Sequence, residues 1–174
     1  NPSNNFTEVT ILTERTTPVP AIDVSDSVAL VQFYNATGGA NWSNNGGWLT
    51  RPAATWYGIT LENDRVTRLE LEDDGSGNFL GNNLVGTIPP EIGDLDSLRF
   101  LNISQGALNG EIPLEIANLS ALEFLWIRDS EITGTMPSVI GSMSNLISIR
   151  MGNNSFTGSI PTEIGNLSNL DDFL

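Results

Sequence analysis

The residues that could do chemistry form a short inventory. There are 21 carboxylates and seven basic residues, and His and Cys are absent. All seven basic residues are arginines, because the sequence contains no Lys. The chain therefore lacks imidazole, thiolate and amine, the usual bases and nucleophiles. Two carboxylates can flank a glycosidic bond, but no pair among the 21 stands out by spacing. The expectation is a chain that is not an enzyme and carries no cofactor. One acidic stretch, "EDDGSGNFLGNN", offers hard oxygen ligands at Glu72, Asp73, Asp74 and Asn78 around two glycines. It is a weak Ca²⁺ candidate, because it lacks the spacing of an EF-hand loop and acidic turns are usually just solvated.

Trp42, Trp48 and Trp56 crowd one turn-rich stretch and could stack on sugar rings. The better reading is a cap that covers an apolar end. The net charge of −14 repels phosphate backbones and anionic lipid, so nucleic acid is not an expected partner. No run of 18 apolar residues occurs, and no membrane insertion is expected within the chain. Asn-x-Ser/Thr sequons begin at Asn5, Asn35, Asn41, Asn102, Asn118, Asn153 and Asn166. They hint at a secreted glycoprotein.

Any such residues must be positioned by a repeat. "GTIPPEIGDL", "GEIPLEIANL", "GTMPSVIGSM" and "GSIPTEIGNL" begin at Gly86, Gly110, Gly134 and Gly158, a spacing of 24. Leu95, Leu98, Leu101, Ile103, Leu108 and Ile112 mark the apolar positions of one unit, and adding 24 finds Leu119, Leu122, Leu125, Ile127, Ile132 and Met136. A third unit gives Met143, Leu146, Ile149, Met151, Phe156 and Ile160. One such unit cannot bury its own apolar side. Stacked units share a core, and each strand pairs with the next in a parallel sheet.

Ahead of the repeats, Ser25 or Asp26 is a plausible N-cap for a helix through "VALVQFYNAT", ended by Gly38-Gly39. "RVTRLEL" alternates like a first strand, and "FTEVTILTER" could pair at a sheet edge. The expected divisions are 1–24 as an extension or linker, 25–65 as an N-terminal cap and 66–174 as repeats. "NLSNLDDFL" stops where another strand should begin, so further repeats are expected.

From Val66 to Leu174 the pattern LxxLxxLxLxxNxLxGxIPxxIGxL resembles plant-type leucine-rich repeats. The stretches "FYNATGGANW" and "WYGITLENDRVTRLEL" resemble the N-terminal cap of such proteins. Plant caps carry paired cysteines. This one has none, and is more similar to the cap of marine algal, diatom and bacterial members. The resemblance implies an α/β solenoid, a right-handed leucine-rich-repeat superhelix with a parallel concave sheet and a helical cap. It leaves function open, since the family includes receptors, inhibitors, adhesins and ice-binding proteins. The asparagine that bonds neighbouring turns falls at Asn82, Gly106, Ser130 and Asn154. The middle two turns should be looser or water-bridged.

Outward positions of the strands form columns along the sheet. They read Arg68, Phe100, Phe124, Ser148, Asp172, and Glu70, Asn102, Trp126, Arg150, Leu174. The next two read Glu72, Ser104, Arg128, Gly152, and Asp73, Gln105, Asp129, Asn153. Solvent-facing Phe100, Phe124 and Trp126 would mark a contact site, with Arg150 lying over Trp126. Aromatics with arginine suit a protein or peptide ligand, so Phe100, Phe124, Trp126, Arg128 and Arg150 are the candidate ligand-binding residues. Trp126 with Asn102 and Asp129 would also suit a glycan.

The expected function is non-catalytic protein recognition, extracellular or at the cell surface. Alternatives are a structural or adhesive component of an extracellular assembly, or ice binding. For ice binding, Thr87, Glu111, Thr135 and Ser159 form an array that Glu111 interrupts.

Overall fold

The structure, a computed structural model, describes residues 22–72 and 81–174. The expected edge strand in "FTEVTILTER", the sequon at Asn5, and Asp73, Asp74 and Asn78 lie outside the described residues.

Helix α1 (Val24–Ala36) opens the described chain. Its N-cap is Asp23, two residues ahead of the expected Ser25 and three ahead of Asp26, and its carboxylate accepts from the Ser25 N–H at 2.8 Å. Asp26 faces inward instead. It is completely buried, accepts from the Val66 N–H at 2.7 Å and pairs with Arg65 at 2.9 Å. The chain leaves α1 through Gly38 at φ +69, a left-handed conformation that costs glycine little.

Strand β1 (Ile59–Glu62) pairs antiparallel with β2 (Arg65–Glu70). Strand β3 (Val85–Thr87) follows, then β4 (Phe100–Asn102), β5 (Ala107–Gly110), β6 (Phe124–Trp126), β7 (Glu131–Ile132), β8 (Ser148–Arg150) and β9 (Asp172–Phe173). They build a six-stranded sheet in the order β1-β2-β4-β6-β8-β9, parallel from β2 onward, and a second, three-stranded sheet β3-β5-β7. The second sheet and β1 are additions to what the repeat pattern announces. Short 3₁₀ turns at Pro90–Asp94, Leu114–Asn118, Ser138–Ser142 and Thr162–Asn166 complete each coil. Each follows the repeat proline, whose fixed φ suits a helical start.

The core runs as columns through the stack. All the expected inward positions of the first unit are buried, and Leu119, Leu122, Leu125, Ile127 and Ile132 continue them at 0% exposure. Met136 and Phe156 are half-buried and Ile160 is exposed, since no further coil among the described residues covers that side. The repeat glycines share a positive φ. Gly134 has φ +77, and a Cβ there would meet Glu111 Cγ at 2.7 Å.

The N-terminal side of the core is closed by aromatic rings. Trp42, Trp48 and Trp56 are buried, and Trp48 stacks on Trp56 with ring centroids 4.7 Å apart. Each indole N–H reaches a backbone carbonyl, of Thr37, Tyr57 and Arg51 respectively. These rings are buried in the core and leave no open face for a sugar.

Candidate functional site

The register of the large sheet brings the expected columns together. Arg68 pairs with Phe100, Phe100 with Phe124 and Phe124 with Ser148. In the next column Glu70 pairs with Asn102, Asn102 with Trp126 and Trp126 with Arg150. Because every coil presents the same outward positions, three rings from two neighbouring strands meet. Phe100 and Trp126 lie 5.0 Å apart, Phe100 and Phe124 5.6 Å, and Phe124 and Trp126 6.1 Å. Two of these contacts are edge-to-face, the arrangement that ring quadrupoles favour.

Arginines clamp this cluster at both ends. The Arg150 guanidinium carbon lies 4.5 Å from the Trp126 ring centroid, the expected cation–π pair. Arg68 covers Phe100 at 3.6 Å. This corrects one expectation: Phe100 is only 9% exposed, because Arg68, Phe124 and Trp126 surround it. Phe124 and Trp126 remain half-exposed and form the accessible part of the patch.

The arginines are not free cations. Arg68 reaches Glu70 at 2.8 Å, Arg150 reaches Asp172 at 2.7 Å, and Arg128 pairs with Glu72 and with Asp129. A polar relay fixes Trp126: its N–H donates to Ser148 Oγ at 2.9 Å, and that hydroxyl donates to Asp172 at 2.8 Å. The hydrogen bonds from Arg150 and Ser148 hold the Asp172 carboxyl below the usual carboxylate range. The rings are thus preorganised, which lowers the entropy lost when a ligand binds.

Several candidates leave the site. Asn102 is completely buried and its side-chain N–H donates to Glu72 at 2.5 Å. It can neither reach a ligand nor carry a glycan in this fold. Glu72 also accepts from Gln105 at 3.0 Å and from Arg128, so its carboxylate is committed and unsuited to Ca²⁺. No group of three or more acidic, His or Cys residues able to hold a metal is found among the described residues. Asp129 sits at φ +54 in a left-handed turn, with Gln105 and Asn153 at equivalent positions of other coils. Its carboxylate is held by Arg128 and by Asn153 at 2.6 Å. The polar partners a sugar would need are therefore occupied. Of the remaining described sequons, Asn35, Asn41, Asn118, Asn153 and Asn166 are exposed.

Ser148 and Asp172 stand in the outward columns of the sequence, but their support of Trp126 is not legible there. Only their side-by-side placement with Trp126 and Arg150 on neighbouring strands hints at it. Glu123, at the edge of a groove shared with Phe100 and Phe124, stands outside those columns.

Comparison with known proteins agrees with this geometry. The Leucine Rich Repeat family model matches residues 145–167. No curated protein matches the sequence. Among solved structures, the BIR2 ectodomain from Arabidopsis thaliana is 25% identical, with a TM-score of 0.75, over 88% of this chain and 79% of that one. The BIR3–SERK2 complex from the same organism gives 22% identity and a TM-score of 0.70, over 84% and 78% of the two chains. A plant ice-binding protein gives 24% identity and a TM-score of 0.60, over 88% and 56%. With its parallel sheet, stacked 24-residue coils and N-terminal helix, the chain has the fold of a leucine-rich-repeat solenoid.

Proposed function

We propose that this chain is a non-catalytic recognition module whose concave sheet binds a protein or peptide, outside the cell or at its surface. The observation that carries the reading is the half-exposed pair Phe124 and Trp126, braced from below by Phe100 and flanked by tethered arginines. Grouped, preorganised aromatic and arginine side chains are the usual anchors of protein interfaces. Two similar structures support the reading by what they are: one an ectodomain, the other a complex of two proteins. No helix among the described residues is long and apolar enough to cross a membrane. The plant-type repeat with a cysteine-free cap belongs to the same proposal, as does glycosylation of the exposed sequons.

The test is Trp126→Ala on a partner captured by the intact protein from native extracellular material. Affinity should fall more than tenfold, about 1.4 kcal/mol. The fold should survive with a loss of about 1–2 kcal/mol, because the ring is half-buried and keeps one hydrogen bond. Unchanged affinity would remove the concave face from consideration. Light scattering separates the structural or adhesive alternative, in which copies cover this face and the purified chain is not monomeric.

A further inference from the structure

Two of the three rings in the patch carry an arginine of the chain itself, and each of those arginines is tethered to a carboxylate. Arg68 lies 3.6 Å from the Phe100 ring centroid and 2.8 Å from Glu70. Arg150 lies 4.5 Å from the Trp126 centroid and 2.7 Å from Asp172. The third ring has two of the same three parts. Phe124 is half-exposed, and the Glu123 carboxylate beside it makes no hydrogen bond or ion pair with any described residue. Both line a groove of about 260 Å³, together with Glu62, Arg68, Arg99 and Phe100.

We infer that Phe124 and Glu123 form a subsite for a guanidinium group brought by the partner, an arginine side chain of a basic segment. The inference rests on the concave-face reading above. A ring face attracts a cation, and an adjacent carboxylate adds a charge-assisted hydrogen bond. Arginine is favoured over lysine because its flat, weakly hydrated head can stack and bond at once. The net charge of −14 steers cations toward the whole surface, while the groove decides where one stops. Two arginines among the described residues line the same groove, Arg68 and Arg99, and Arg68 is held over Phe100 and paired with Glu70. Arg99 occupies the position equivalent to Glu123 one coil earlier, and it is directed to Glu62 at 3.5 Å.

The probe is acetyl-Gly-Arg-Gly-amide, titrated into the full, isotope-labelled chain and followed by NMR, with the citrulline peptide as an uncharged isostere. Saturable shifts should centre on Glu123 and Phe124. Citrulline should bind at least tenfold more weakly, and Glu123→Gln should narrow that difference to the few-fold preference that the Phe124 ring alone gives a cation. Arg99→Ala should not weaken the affinity, since it removes a like charge from the groove. Equal binding of citrulline, no saturable shift at millimolar peptide, or binding that appears only in Arg99→Ala would each overturn the subsite. A native partner bound equally by wild type and Glu123→Gln, yet lost with Trp126→Ala, would overturn the subsite alone. Equal binding by both variants would overturn the face as well.

Discussion

At the scale of single residues, burial rather than charge decides what each ion pair contributes. Asp26 is fully buried between α1 and β2, where it meets Arg65 and the Val66 N–H, and Arg65 also reaches Asp96 at 2.6 Å. Removing one partner of a buried pair strands the other in a poor dielectric. Asp26→Ala should therefore cost about 3–5 kcal/mol in chemical denaturation. Glu62→Ala breaks a 3.5 Å pair whose two side chains are both more than half exposed, and should change stability by less than about 0.5 kcal/mol. Asp172 adds a pH dependence. Its pKa is lowered in the folded state, so its contribution is present above the unfolded carboxylate range and is lost as pH falls through the folded value. The stability difference between wild type and Asp172→Asn should be constant near neutrality and close below about pH 4. A difference that persists unchanged at lower pH would show that the Arg150–Asp172 bond does not matter to the fold. None of this was legible in the sequence at Asp26, where an acidic residue at the start of a helix reads as a cap. The true cap, Asp23, is an equally ordinary choice, and only the approach of β2 tells the two apart.

At the scale of elements, the repeat announced itself because its apolar positions recur at one period that any residue-by-residue reading detects. The columns of the sheet follow from that period and from strand alternation, which is why the sequence alone sets Arg150 beside Trp126. What did not follow was depth. Alternation says that Phe100 points outward, but whether neighbours close over it depends on side-chain lengths in adjacent coils, and Arg68 is long enough. The asparagine ladder shows the same logic in the turns. Asn154 donates to Ile127 and Met151 carbonyls at 2.6 and 3.0 Å and accepts from the Ile132 N–H at 3.1 Å. One coil earlier the residue is Ser130, whose buried hydroxyl has no hydrogen-bond partner among the described residues. A longer amide at this position would reach the corresponding carbonyls of Ile103 and Ile127 and the Leu108 N–H. Ser130→Asn should raise stability by about 1 kcal/mol, measured as a higher denaturation midpoint with an unchanged slope. A destabilised variant would mean that the turn has no room for the amide, and that its shorter hydroxyl is a packing choice.

At the scale of the whole molecule, 21 carboxylates against seven basic residues leave a large surplus of one sign on a stack of coils. Two effects of salt then oppose each other. Screening weakens the exposed arginine–carboxylate pairs at the sheet, each contributing about 0–1 kcal/mol. It also weakens the mutual repulsion of the unpaired carboxylates, which the net charge of −14 makes the more numerous class. Between 0.01 M and 1 M salt the screening length shrinks from about 30 Å to about 3 Å, less than the roughly 4.8 Å between adjacent strands. The repulsive contacts are long-ranged and many, whereas the ion pairs are short and few, so screening relieves more energy than it removes. Thermal unfolding should therefore move to higher temperature as sodium chloride rises over that range. The rise should be largest below about 0.15 M, where the screening length still exceeds the separation of neighbouring coils several-fold. A transition temperature that falls with salt would show that the paired arginines of the concave sheet outweigh the surplus. The recognition surface would then be the main electrostatic support of the solenoid, and partner binding and folding would share one salt dependence.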